Sequence, residues 1–205
     1  MRRPSHLPAA AAVLAGVVLL LGACGVPTDD QPRAISREQA PDLDQGEENT
    51  RPAVTDAATL ILTRVDGATN FLVPVEEQVP VDTSSKPTPR TALETLLSYT
   101  PDEGLRAEGI TTRIPPDTAL ASPPELGQDG VLVVNLNSNI DHVQAEGSRL
   151  AFGQIVCTAD AFDEVEAVQF QVEGESRAAP KGDGEASAGP LSCTDYDNLF
   201  DSQTD

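Results

Sequence analysis

Tryptophan is absent from this 205-residue chain, and five Phe and two Tyr are its only aromatics. Val, Leu, Ile and Phe together make up about 24 per cent, just above the level of chains that stay unfolded. A modest core is possible and a large one is not. Basic residues are scarce: 13 Lys and Arg face 33 Asp and Glu, a net charge of −20. No basic field exists to displace phosphate counterions, which argues against nucleic-acid binding. The chain also lacks a phosphate-binding glycine loop and any H-E-x-x-H or C-x-x-C pattern, so neither cofactor nor metal is expected. Its length fits one domain with flanking segments.

What is present starts at the N-terminus. Arg2 and Arg3 precede an uncharged apolar run from Ala9 to Leu21, too short for a comfortable membrane span but right for a signal-peptide core. It ends in Leu21-Gly22-Ala23-Cys24. This order resembles the bacterial lipobox, which implies cleavage of residues 1–23 and lipidation of Cys24. An ordinary secretory signal cleaved after Ala23 and an uncleaved anchor are the other readings. Two or more acyl chains give stable anchoring where one is marginal. Cleavage removes two arginines and no acid, so the mature charge becomes −22. Anionic lipid would repel such a body, so the lipid must hold it. The expected location is the extracytoplasmic face of the cell membrane.

The apolar residues are unevenly spread. Residues 24–56 hold four of Val, Leu, Ile and Phe, interrupted by Pro27, Pro32, Pro41 and Pro52, and read as an acidic tether. Residues 57–173 hold most of them and must contain the core. Residues 174–205 hold three, and Gly174 to Pro190 reads as a flexible linker before a C-terminal tail.

Within the domain, Ala57 to Val65 predicts a strand and Asp66-Gly67 a turn. Phe71 to Val75 predicts the partner strand at an edge, since Pro74 cannot donate to a ladder. Thr88-Pro89 starts a helix, with Thr91…Glu94 as an alternative capping box. Leu93, Leu96, Leu97 and Thr100 share its face and Pro101 ends it. Gly109 to Ile114 is a short strand stopped by Pro115-Pro116, and Asp129-Gly130 is a turn. Val131 to Leu136 reads as a buried central strand. Ser148 to Asp160 places Phe152, Ile155, Val156 and Ala159 at helical spacing. Val168, Phe170 and Val172 alternate as a half-buried strand. The fold class is α+β: a mixed or mostly antiparallel sheet of four to five strands with two helices on one face.

The order Ile114-Pro115-Pro116-x-Thr118, Val131-x-Val133-x-Asn135-Leu136, Ala151-x-x-Gln154-Ile155-Val156-x-Thr158 and Val168-x-Phe170-x-Val172-x-Gly174 resembles the GerMN domain of sporulation and germination proteins, which recurs in actinobacterial lipoproteins. The resemblance covers about residues 57–175. It implies an extracytoplasmic, non-catalytic module working in envelope assemblies, with an envelope protein as partner.

Catalytic candidates are few. His142, beside Asp141, is the only histidine of the mature chain, and no nucleophile elbow accompanies it. It reads as a surface or capping residue. Thirty-three acids make any carboxylate pair easy to propose and therefore uninformative. Asp195-x-Asp197-Asn198 mimics the start of a calcium loop without its Gly and terminal Glu, and reads as a solvated acidic tail.

The cysteines say more. With Cys24 lipidated, Cys157 and Cys193 remain, an even number for an oxidising compartment. On the helix, Cys157 lies about 140° from the apolar face at 100° per residue. That outward position predicts a Cys157–Cys193 disulfide, with Tyr196, Leu199 and Phe200 covering the helix. Unpaired or intermolecularly paired thiols are the alternative. The reading is a lipid-anchored, non-catalytic interaction module acting in envelope assembly or signalling. Envelope ligand binding, to cell-wall glycan or a small molecule, is second and is weakened by the few aromatics. Hydrolysis is last.

Overall fold

A computed structural model describes residues 55–81, 86–143 and 146–201. The signal peptide, Cys24 and most of the expected tether lie outside the described residues.

The described residues build three small sheets around the helix Glu146–Asp160, in place of the single sheet expected. β1 (Thr55–Asp66) and β2 (Thr69–Pro80) form a long antiparallel hairpin. Gly67, at φ 59°, turns it, a conformation that a side chain would strain. β2 is an edge strand, as Pro74 requires. Helix α1 (Pro89–Leu97) follows, capped by Thr88 rather than by Thr91. The Thr88 side chain accepts from the Thr91 amide, and the Thr91 hydroxyl accepts from the Thr88 amide. Short α2 (Glu103–Ala107) leads into β3 (Ile110–Thr111), which pairs with Arg64 and Thr63 of β1.

β3 is much shorter than Gly109 to Ile114 would allow. The main chain leaves β1 at Thr112, and Pro115-Pro116 cannot supply further ladder donors. The edge of β1 beyond Thr63 is therefore open to another element, and a helix takes it.

The second sheet runs β4 (Glu125–Leu126), β5 (Val131–Leu136), β6 (Ala167–Val172) and β7 (Glu175–Ser176). β5 and β6 are parallel, joined through a 3-10 turn (Ser138–His142) and helix α3 (Glu146–Asp160). β5 is central, yet its residues alternate between buried and half-buried. α3 touches β1, β2, α1, β6, β8 and the C-terminal 3-10 helix, so every residue from Leu150 to Ala159 is buried. Phe152 meets Phe170 edge to face, centroids 4.8 Å apart.

The segment expected to be a loose linker and tail is built into this body. β8 (Ala179–Pro180) and β9 (Ala186–Ser187) form a hairpin, and Cys193–Leu199 is a 3-10 helix. Ala179, Leu191, Tyr196 and Leu199 are buried in the common core. Leu191 exchanges two backbone hydrogen bonds with Val168, of 2.7 and 2.9 Å. Counting branched and aromatic residues underestimates this segment because a few large anchors and main-chain bonds hold it. The folded body thus reaches Asp201 rather than ending at residue 173.

Candidate functional site

Two polar residues of the family-like pattern, Gln154 and Thr158, sit where α3 replaces a strand. Thr158 and Gln154, four apart on α3, share one face. The Thr158 hydroxyl accepts the Ile61 amide at 2.8 Å, and Gln154 Nε2 donates to the Ile61 carbonyl at 3.1 Å. Gln154 Oε1 accepts from the Arg113 amide at 2.8 Å and the Thr63 hydroxyl at 3.3 Å. Gln154 is fully buried, at 0 per cent exposure, with both ends of its amide bonded. The pair therefore closes the free edge of β1 just past β3. Asn135 plays a similar part on β5: its Oδ1 accepts from the Gly174 amide and its Nδ2 donates to the Ser122 hydroxyl.

The Ile114-Pro115-Pro116-Asp117-Thr118 run does something different. With Leu97 to Pro101 it walls a groove of about 760 Å³. Asp117 sits at φ 63°, a left-handed conformation costly for a residue with a side chain. Asn137 and Asn139 hold it there, both donating to the Asp117 carbonyl at 2.8 and 2.6 Å. Thr118 follows, 4 per cent exposed, and its Oγ1 has no hydrogen-bond partner. On the opposite wall the Tyr99 hydroxyl donates to Glu77 at 2.9 Å. Burial, helped by the Glu77 carboxylate, pushes the Tyr99 phenol up to about 12. The groove is the site that sequence reading missed. Its signal was the Pro-Pro-x-Thr run itself, whose second wall comes from a helix end many residues away.

The residues singled out beforehand fall elsewhere. His142 is exposed on the 3-10 turn, and neighbouring Asp141 pairs with Arg177 at 2.7 Å. Asp195 and Asn198 are taken by the fold. Asp195 accepts the Ser192 amide at 3.0 Å and pairs with Lys181 at 2.9 Å, and Asn198 donates to the Gly182 carbonyl at 3.1 Å. Burial alone would raise the Asp195 pKa, but the Lys181 and Ser192 hydrogen bonds outweigh it and hold the carboxyl below its usual range. Cys157 and Cys193 are joined, S–S 2.02 Å, across 36 residues of chain. Cys157 is only 3 per cent exposed, because the face of α3 that points away from the apolar stripe is covered by the C-terminal 3-10 helix. Tyr196 lies on that side against Gly153, and its hydroxyl donates to the Pro180 carbonyl at 2.9 Å.

A family model described as Germane, sporulation and spore germination, matches residues 44–178. The chain belongs to the Germane family. Its fold is that of GerMN domains. The chain is similar to the first GerMN domain of the sporulation protein GerM from Bacillus subtilis, at 20% identity and TM-score 0.55, covering 68% of this chain and 99% of that one. It is similar to the tandem GerMN domains of the same protein at 23% identity and TM-score 0.52, covering 68% of this chain. It spans only 46% of that tandem structure. A comparison with the curated proteins finds no match. The family match stops at residue 178, and Cys193 and the C-terminal 3-10 helix, the C-terminal cap, lie beyond it.

Proposed function

We propose that this Germane-family protein is a lipoprotein, held on the extracytoplasmic face of the membrane by acyl chains on Cys24, with its α+β body a non-catalytic interaction module in envelope assembly or signalling. The observation that carries the reading is the use of the signature residues. Gln154, Thr158 and Asn135 spend their hydrogen bonds on the framework. A domain whose signature specifies shape offers a surface rather than a reaction. The lipobox order of Leu21-Gly22-Ala23-Cys24 supplies the address. The acidity of the body supports anchoring by lipid rather than by charge. In the oxidising space outside the membrane, the Cys157–Cys193 bond fastens the C-terminal cap.

Mass spectrometry of the membrane-extracted protein tests both covalent claims. Diacylglyceryl Cys24 as the first residue, and a non-reduced peptide joining Cys157 to Cys193, are expected. An N-terminus that retains residues 1–23, or alkylation of both remaining thiols without reduction, would overturn the corresponding claim.

A second reading, binding of cell-wall glycan or a small molecule, draws support from the groove under Thr118, whose hydroxyl lacks a partner. Titration of the protein with soluble glycan fragments, read from backbone amide shifts at residues 112–114 and 117–119, separates it from the first. Hydrolysis ranks last, with His142 exposed and no nucleophile assigned to it.

A further inference from the structure

The turn at the lip of the groove is built at a cost that the fold does not recover. The Thr118 amide donates to the Pro115 carbonyl at 3.3 Å, closing a turn from Pro115 to Thr118. Pro116, second in the turn, presets the backbone there. The third place is Asp117 at φ 63°, where glycine or asparagine ordinarily sits. Asn137 and Asn139 hold the Asp117 main chain through its carbonyl. Its side chain is exposed, and among the described residues nothing bonds its carboxylate. Thr118, the next residue, is buried with Oγ1 unbonded. Backbone strain and an unsatisfied buried hydroxyl side by side in a concave wall mark a place prepared for a ligand.

The rest of the groove narrows the class. Its volume of about 760 Å³ suits a small molecule. Leu97, Pro101, Ile114, Pro115 and Pro116 give it apolar surface. On the wall opposite Asp117, Ser98 spends its proton on the Glu94 carbonyl and keeps lone pairs free. Thr100, on the same wall, has no protein partner among the described residues. Acceptors therefore stand on two walls with apolar side chains between them. An ammonium group donates from one point, whereas a sugar ring carries hydroxyls around its edge and C–H groups on its faces. Asp117 alone is charged among the residues lining the groove, and Arg106 and Arg113 line a different cavity, so the lining offers an anion no cation.

We propose that this groove binds a neutral saccharide. Its hydroxyls donate to Asp117 on one wall and to Ser98 and Thr100 on the other, its C–H face packs on Ile114 and the prolines, and the same ring completes the bonding of Thr118 Oγ1. The inference rests on the second reading above, a ligand in the groove, and names the class of that ligand.

The test uses the full chain in a polyoxyethylene detergent, which carries no sugar, titrated with the N-acetylglucosamine trimer and with maltotriose and read from backbone amide shifts. Saturable shifts at Thr112, Ile114, Asp117 and Thr118 are expected with at least one of them, at roughly millimolar affinity or tighter. Asp117→Asn removes the charged acceptor and keeps a residue suited to the left-handed conformation. It should unfold in urea no earlier than the parent and bind about tenfold more weakly or worse. Thr118→Val should also weaken binding severalfold while remaining folded, and Glu164→Gln, which lies in another cavity, should bind as the parent does. Three results would overturn the inference: no saturable shift with either sugar, undiminished binding by Asp117→Asn, or tighter binding of n-butylamine than of both sugars. Shifts at the same amides from the peptide stems of a cell-wall digest, with none from the sugars, would sink the saccharide class while leaving a groove ligand standing.

Discussion

Two residues separate framework from opportunity. Thr158 and Thr118 are both buried threonines of the family-like pattern. The Thr158 hydroxyl accepts the Ile61 amide, and replacing Thr158 with the isosteric Val strands that donor. Thr158→Val is expected to cost about 1–3 kcal/mol in urea unfolding. Thr118 has no partner to lose, so Thr118→Val is expected to be neutral or stabilising in the same measurement. A loss comparable to that of Thr158→Val would mean that the Thr118 hydroxyl is bonded in solution. The Gln-x-x-x-Thr spacing was legible in the sequence as one face of a helix. Its purpose was not, because Ile61 is more than ninety residues away and periodicity carries no information about which strand edge a helix meets.

At the scale of elements, α3 explains where sequence reading succeeded and failed. Its apolar stripe gave the helix and its inner face. The remaining faces carry Gly153, Gln154, Cys157 and Thr158, of which Cys157 is expected to point outward, and all are buried. They are covered by an open strand edge and by the C-terminal cap, neither of which local composition reveals. Gly153 is the tightest point. A Cβ there would come within 2.9 Å of Leu72 and 3.0 Å of the Tyr196 ring, both buried. Gly153→Ala is therefore expected to destabilise by about 1–3 kcal/mol, seen as a lower melting temperature. The cap itself was misread as flexible because Ala179, Leu191, Tyr196 and Leu199 are too few for a compositional signal, yet each is seated in the core. Removing its covalent link by Cys193→Ser releases a loop of 36 residues and is expected to cost up to about 4 kcal/mol by loop-closure entropy. Urea unfolding with and without reductant measures it, and reductant should then change the parent only.

At the scale of the molecule, charge was the most legible property and the least informative about function until the fold arranged it. The Lys181–Asp195 pair, 2.9 Å apart, joins the hairpin of β8 and β9 to the C-terminal 3-10 helix. That pair makes the C-terminal segment acid-sensitive. Asp195 titrates below its usual range in the folded protein. Its contribution is complete above the unfolded value of about 4 and is lost as pH falls through the lower folded value. Hydrogen exchange at Tyr196 should accelerate, beyond the intrinsic pH effect, across that interval in the parent and much less in Asp195→Asn. The proposed lipid attachment outranks these predictions, because it would fix which surfaces can meet a partner. Its test is fractionation of cells carrying Cys24→Ala. The account predicts that the parent sediments with the membranes and that the variant leaves the pellet. Unchanged membrane retention of the variant would contradict lipid anchoring.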